Sequence, residues 1–186
     1  MISYQYSKKV LKKAIIKIKD ENIKSINSLN RVVSSNIFCG INYPTGDNAA
    51  FDGYAINSQD TKNIKKSLSK KFKIIGLIAA GNKPFKKKIK KYDAVEIMTG
   101  GIIPKGFDTI IPIEQIIFYP NESNKKYILI NKKIKKHNHV RFAGSDFKKK
   151  EIVVKKNTII QPNHILAFKT LGIKNIKIKK KINILF

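Results

Sequence analysis

The sequence is poor in several residue types, and each scarcity limits what the protein is expected to be. Its one cysteine, Cys39, excludes a disulfide within the chain and suits a reducing compartment. No apolar run approaches the roughly 20 residues that a membrane-spanning helix needs. The lysine-rich N-terminus also lacks the apolar stretch of a signal peptide, so we expect a cytoplasmic protein without a membrane partner.

Arginine and tryptophan are also scarce, which bears on the large positive charge of the protein. The formal net charge is +27, but all except two of the 39 basic residues are lysine, and tryptophan is absent. A field of this strength attracts phosphates, nucleic acid and anionic lipid. Proteins that recognise phosphate or base edges depend on the bidentate guanidinium, whereas these lysines are scattered along the chain. We therefore expect solvated surface lysines and no nucleic-acid partner.

The 186 residues suffice for one domain or two small ones, and their periodicity predicts an α+β fold. A helix is expected within residues 1–20, where Ser7 can cap it, and another from Ile26 to Val33. A third helix is expected from Pro162 to Leu171, with Gly172 just beyond its end. Short β-rich pieces predict strands at Phe72–Ile78, Ala94–Met98, Thr109–Ile113, Ile116–Phe118, Tyr127–Ile130 and Ile176–Ile178.

The last residues form an apolar run, Ile182 to Phe186, which contains no turn and no polar cap. A buried parallel strand normally leads into a loop and a helix. The run therefore predicts the first strand of a further α/β domain that these residues do not include.

The most informative segment is Gly46-Asp47-Asn48-Ala49-Ala50-Phe51-Asp52-Gly53-Tyr54-Ala55-Ile56. Its small residues leave room for a ligand near the backbone. Asp52-Gly53 is a strong turn dipeptide, and a strand-like alternation follows it. Such a turn places the Asp52 carboxylate at a strand edge beside open space. A plain turn without further function is the alternative interpretation.

Two further clusters combine a turn with groups that bind anions. In Met98-Thr99-Gly100-Gly101 a strand meets a glycine pair, whose N–H groups and neighbouring threonine hydroxyl are candidates to hold an oxyanion. In residues 140–146, Arg141 lies close to Asp146 around a glycine. The alternatives are a tight turn at a strand end and an ordinary surface ion pair, worth under about 1 kcal/mol.

Taken together and in this order, the clusters resemble the N-terminal half of the molybdopterin molybdenumtransferases, a family related to the C-terminal domain of gephyrin. The similarity extends from the first helix to Phe186. This chain differs from the family pattern at Phe142, Ala143 and Ser145, where the family has further arginines and an acidic residue. The matching stretches are Asp47 to Ala55, Ala79 to Asn82, Ile97 to Gly100 with Pro104 and Gly106, Gly144 to Asp146, and Leu171 to Ile173.

The resemblance implies a reaction and roles for individual residues. The family takes adenylylated molybdopterin and molybdate, hydrolyses the adenylate with Mg²⁺, and releases molybdenum cofactor and AMP. Asp52 or Asp146 would orient the metal or its waters, while the complete set of metal ligands stays unknown. The candidate residues are Asp52, Thr99 and Asp146 for catalysis, and Arg141, Gly100 and Gly101 for substrate binding.

The resemblance also implies two domains and a homodimer. An elongated dimerisation domain would be built from residues 1–45 and 140–181, with a β-rich domain, 46–139, inserted between its halves. Residues 182–186 would begin a pterin-binding domain that is absent, so we expect little or no transferase activity from the isolated chain. Two alternatives stay open: a non-catalytic dimerisation or scaffold fragment, and a basic nucleic-acid-binding protein.

Overall fold

The computed structural model describes residues 2–13, 17–64, 68–82 and 85–182. These residues form two compact units, one combining the chain up to Gly40 with the chain from Lys150 onwards, and the other spanning Ile41–Lys149. The second unit begins and ends in segments that bond each other, since the Tyr43 N–H donates to the Phe147 carbonyl at 2.8 Å. The sequence boundaries after residues 45 and 139 fall inside this unit, and the domain roles stay a prediction.

The secondary structure consists mostly of short strands with two helices, which confirms the predicted α+β class. Within the described ranges, no helix has the length and apolar character that crossing a membrane requires. The elements in chain order are α1 (Tyr4–Lys13), β1 (Asp20–Lys24), β2 (Ile37–Phe38), β3 (Asn48–Ala49), β4 (Gly53–Ile56), β5 (Lys70–Ile78), β6 (Asp93–Ile97), β7 (Thr109–Pro112), β8 (Ile117–Tyr119), β9 (Tyr127–Ile130), β10 (Val140–Arg141), β11 (Ile152–Val154), α2 (Pro162–Thr170) and β12 (Asn175–Lys179).

The first unit is built from antiparallel pairs between its two chain segments. β1 pairs with β12, and β2 pairs with β11. Because side chains alternate along a strand, Ile176 and Ile178 lie on one face of β12. They pack with Val33, Ile160 and Phe168 in a buried cluster, so residues from both segments share one core.

Helix α2 confirms the prediction made for Pro162 to Leu171. Pro162 occupies its first turn, where a missing N–H costs no helical hydrogen bond. Gln161 and His164 form a capping box, in which the His164 Nδ1 accepts the Gln161 N–H at 3.0 Å. Gly172 follows the helix with a φ of +68°, a conformation that glycine adopts without strain.

The helix predicted from Ile26 to Val33 is wrong. Only a short 3-10 turn, Ser25–Asn27, forms in this region. Asn30 then adopts a left-handed φ of +60°, which ends any helical path. Val33 is fully buried and forms a strand-like bridge with Ile178. Tertiary packing of the apolar residues therefore overrides their helical spacing.

The N-terminal helix is shorter than predicted and has a different cap. α1 ends at Lys13, and Ser7 lies inside it rather than at its start. Ser3 takes the capping role, because its hydroxyl accepts the Tyr6 N–H at 3.2 Å. Residues 14–16 of the predicted helix and 183–186 of the predicted final strand lie outside the described residues.

The second unit is organised around a six-stranded sheet with the order β7-β4-β6-β5-β9-β8, in which only β5 and β6 run parallel. Every strand predicted in this part of the sequence is present, with shifts of one or two residues at the ends. Hydrophobic side chains cover both faces of the sheet. On β4, Tyr54 and Ile56 join one buried cluster with Phe72, while Ala55 points to another with Val95.

Candidate functional site

The three clusters identified in the sequence meet at residues 47–52, which lie between two other chain segments. On one side, the Ala49 N–H donates to the Gly101 carbonyl at 3.0 Å, and the Gly100 N–H donates to the Ala49 carbonyl at 2.9 Å. On the other side, β3 pairs antiparallel with β10, which carries Arg141. The aspartate turn, the glycine corner and the arginine loop are therefore neighbours within one unit.

The closest link within this site joins Asp52 and Thr99. The Asp52 Oδ1 accepts hydrogen bonds from both the N–H and the hydroxyl of Thr99, each at 2.7 Å. The backbone bond and then the hydroxyl bond hold the pKa of the Asp52 carboxyl below its ordinary value. Asp52 is thus a fixed, exposed carboxylate in a turn, as its sequence predicts.

The geometry of this pair determines what each group can still do. A hydroxyl has one proton, so Thr99 cannot donate to Asp52 and to a bound anion at the same time. Both hydrogen bonds end on Oδ1, and no described residue donates to the second oxygen, Oδ2. Oδ2 is therefore available to contact a ligand, a water or a metal ion, whereas the Thr99 hydroxyl can act only as an acceptor.

The two glycines have a structural role that differs from the predicted one. The Gly100 N–H donates to the Ala49 carbonyl, and the Gly101 N–H donates to the Met98 carbonyl at 2.8 Å. Neither N–H points to an open site, which corrects the expectation that they hold an oxyanion. Gly100 has a φ of +81°, and a side chain on Gly101 would lie 2.8 Å from Ile97. The pair makes a tight corner that positions Thr99, and its substrate contact stays a prediction.

The arginine loop contains an ion pair between Arg141 and Asp146. The guanidinium lowers the pKa of Asp146, and the carboxylate raises that of Arg141. The Ser145 hydroxyl adds a hydrogen bond to the Asp146 Oδ1 at 3.2 Å. The Arg141 side chain is still 49% exposed, so the guanidinium remains accessible to a ligand.

Asp47 connects the loop to the central segment, a role that the sequence analysis did not assign. Its Oδ1 accepts the Ala143 N–H at 2.8 Å, and its carbonyl accepts the Ile103 N–H at 2.9 Å. Asp47 therefore bonds both flanking segments. Its place beside Asn48 in the sequence motif was a signal, but the donors, the N–H groups of Ala143 and Ile103, could not be identified without knowing which segments lie beside it.

The described residues contain no group of three or more His, Cys, Asp or Glu that could hold a metal ion. Mg²⁺ is often held by one or two carboxylates, substrate phosphates and waters, so Asp52 fits as a single ligand through Oδ2. Asp146 fits less well because its charge is paired with Arg141.

The two histidines near the arginine loop pack against aromatic rings. His137 lies edge-on to Phe142, with ring centroids 5.1 Å apart, and His139 lies edge-on to Phe51, with ring centroids 5.0 Å apart.

Four large apolar side chains that are neighbours of the site residues in sequence are exposed. Each follows or precedes a residue of the site in sequence. Exposed apolar groups around a few fixed polar ones are typical of surfaces that bind another protein or a ligand. The exposed fractions are 52% for Phe51, 44% for Met98, 44% for Ile102 and 46% for Phe142.

Comparison with known proteins adds independent information about the chain. Residues 2–172 match the family model described as MoeA N-terminal region, domain I and II. The chain is 30% identical over 180 residues to the molybdopterin molybdenumtransferase of Haemophilus influenzae, covering 97% of this chain and 42% of that protein. It is also 30% identical over 154 residues to the Staphylococcus aureus protein of the same name, covering 83% and 35%.

Solved structures give the same result. The chain superposes on the molybdopterin biosynthesis MoeA protein from Pyrococcus horikoshii with a TM-score of 0.84 and 27% identity, covering 97% of this chain and 44% of that one. A second structure of a MoeA protein from this organism gives a TM-score of 0.76 at 29% identity, covering 87% and 41%. The chain thus spans about two fifths of the length of the relatives that it matches.

Proposed function

Since the chain belongs to the family of MoeA N-terminal regions, we propose that it supplies domains I and II to a molybdopterin molybdenumtransferase. The proposed substrates are adenylylated molybdopterin and molybdate, and the proposed products are molybdenum cofactor and AMP. The observation that carries the proposal is the pairing of Asp52 with Thr99 on the segment that also anchors the loop of Arg141.

We assign Asp52 the role of orienting the water that hydrolyses the adenylate, and its Oδ2 would be a ligand of Mg²⁺ when the metal is bound. Two hydrogen bonds from Thr99 to Oδ1 fix the orientation of the Asp52 carboxylate and favour its ionised form. Oδ2 can therefore accept a hydrogen bond from the attacking water. When bound, Mg²⁺ would neutralise charge on the phosphate oxygens. Thr99 is then a positioning residue, because its hydroxyl acts through the carboxylate.

We assign Arg141 the role of binding an oxyanion, either molybdate or a substrate phosphate. A guanidinium offers five N–H donors in one plane, and the hydrogen bond from Arg141 to Asp146 is made by Nη2. Asp146 fixes the orientation of the guanidinium. Since Phe142 and Ala143 replace the family's further arginines, Arg141 is the only guanidinium in this loop.

We further propose that another protein surface covers this site. The exposed apolar residues Phe51, Met98, Ile102 and Phe142 support a contact of this kind, because it would bury them. The resemblance favours a homodimer in which a further domain completes the pocket. We accordingly expect the isolated 186 residues to have little or no transferase activity.

The proposal is tested with a chimera in which this chain replaces the matching N-terminal part of the H. influenzae protein. In cells that lack their own molybdopterin molybdenumtransferase, the chimera is expected to restore molybdenum cofactor, measured as total cofactor per cell. The variant Asp52→Asn should restore far less. Glu122→Gln, which changes an exposed carboxylate in a surface loop, should equal the unmodified chimera.

The same experiment addresses the alternative of a non-catalytic scaffold. A scaffold would tolerate Asp52→Asn, because the amide keeps the size of the side chain and one acceptor oxygen. Full restoration by this variant, at equal protein level, would therefore contradict the proposed role of Asp52. Failure of the unmodified chimera, with the protein folded and dimeric, would contradict the proposed function itself.

A further inference from the structure

A cavity of about 510 Å³ lies in the second unit, apart from the two polar pairs of the candidate site. Its volume falls within the range of about 300–1,000 Å³ that is usual for pockets of small organic ligands. None of Asp52, Thr99, Arg141 and Asp146 lines it. The lining consists of three lysines, Asn82 and an apolar wall, namely Lys87, Lys88, Lys105, Ile78, Phe85, Ile89, Ile102, Ile103 and Pro104.

The polar part of the lining carries positive charge only. Three lysines, Lys87, Lys88 and Lys105, belong to it, and none of the lining residues that the structure describes is acidic. Lys87 is fixed in place because its Nζ donates to the Ile75 carbonyl at 2.6 Å. An ammonium group has three donors, so this bond leaves two for a ligand. The charge favours a ligand head group with more than one negative charge.

The apolar part of the lining is held by close packing against the backbone. The Phe85 ring lies over Gly76, where an added Cβ would be 3.1 Å from the ring. Ile89 lies against Gly106, where an added Cβ would be 3.4 Å from its Cδ1. These contacts position an aromatic face and branched side chains, which suit a flat apolar group.

We propose that this cavity binds an organic phosphate monoester, with the ring system against the apolar wall and the phosphate at the three lysines. A carboxylate would bring one charge to three cations, and inorganic phosphate would leave the apolar wall in water. The proposal uses neither polar pair of the candidate site, so it does not depend on the roles proposed for Asp52 and Arg141, although its lining shares Ile102 with the apolar residues next to that site. It rests on the cavity, the charge of its rim and the packing of its wall.

The test uses the full 186-residue chain and phenyl phosphate, with phenol and inorganic phosphate as the two halves of the probe. We expect phenyl phosphate to bind at least about tenfold more tightly than either half, measured by isothermal titration calorimetry. In isoleucine methyl NMR, the signals of Ile89, Ile102 and Ile103 should shift on titration. Equal affinity for phenyl phosphate and inorganic phosphate would overturn the proposal.

Variants separate this cavity from the general field and from the candidate site. Lys88→Gln and Lys105→Gln should each weaken binding about tenfold, whereas Lys136→Gln, an exposed lysine of the same unit, should not. Equal weakening by all three would overturn the proposal in favour of non-specific attraction. Loss of binding in Arg141→Gln without loss in Lys88→Gln would place the ligand at the arginine loop and also overturn it.

Discussion

Asp52 Oδ1 accepts two hydrogen bonds from one residue, the N–H and the hydroxyl of Thr99, across 47 positions of sequence. The contact joins the turn that precedes β4 to the end of β6. It makes the orientation and charge of the carboxylate depend on Thr99, while Oδ2 stays available. This dependence can be measured in the isolated chain, without substrates.

Replacing Thr99 by valine should raise the pKa of Asp52 toward its ordinary value, because the hydroxyl bond that favours the ionised form is lost. The measurement is an NMR pH titration of the carboxyl carbon. Thr99→Ser keeps the hydroxyl and should keep the lowered pKa. An unchanged pKa in Thr99→Val would show that the backbone N–H alone controls the carboxylate.

The arginine loop allows a parallel test. Arg141→Gln should raise the pKa of Asp146, since the guanidinium is the main cause of its lowering. A carboxyl with a lowered folded-state pKa adds stability above its unfolded value of about 3.8, and this stability is lost as pH falls through the folded pKa. The free energy of unfolding should therefore increase less from acid to neutral pH in the variant than in the wild type. Lys149→Gln changes an exposed lysine near the loop in sequence and is the matched control. In this variant Asp146 should titrate as it does in the wild type.

Asp47 should control the order of the arginine loop. Asp47→Ala removes the acceptor for the Ala143 N–H, so we expect faster hydrogen exchange of that amide, by several-fold. Asp47→Asn retains an acceptor oxygen and should exchange nearly as slowly as the wild type. If both variants exchange at the wild-type rate, the contact does not order the loop.

Gly53 should tolerate no side chain. An added Cβ would lie 2.0 Å from the Ile111 carbonyl oxygen of the neighbouring strand β7, which is backbone and cannot move aside alone. We expect Gly53→Ala to lower the free energy of unfolding by about 3 kcal/mol or more, measured by urea denaturation. At Gly40 nothing lies within 4 Å of an added Cβ, so Gly40→Ala serves as the control.

The strands of the second unit were predictable because short apolar runs such as Tyr127–Ile130, bounded by polar loops, indicate buried strands from local sequence alone. β1 was missed since its sequence, Asp-Glu-Asn-Ile-Lys, is mostly polar and is a strand only through its pairing with β12. The helix predicted from Ile26 to Val33 is wrong for a related reason, because pairing with distant segments decides the structure there as well. Its apolar residues satisfy helical spacing, but strand-like bridges from distant segments hold Val32 and Val33.

The candidate site was partly predictable for a related reason. Turn chemistry and the family resemblance led to Asp52, Thr99 and Arg141 from local sequence. The sequence could not show that Gly100 and Gly101 use their N–H groups on Ala49 and Met98, because such partners depend on tertiary pairing. For the same reason it could not show that residues 47–52 join the three clusters.

The most direct test of the central claim is AMP release in a single turnover by the chimera described above, supplied with adenylylated molybdopterin, molybdate and Mg²⁺. We predict release by the unmodified chimera and by Glu122→Gln, and a loss of about a hundredfold or more in Asp52→Asn. AMP release by Asp52→Asn at the unmodified rate would contradict the account.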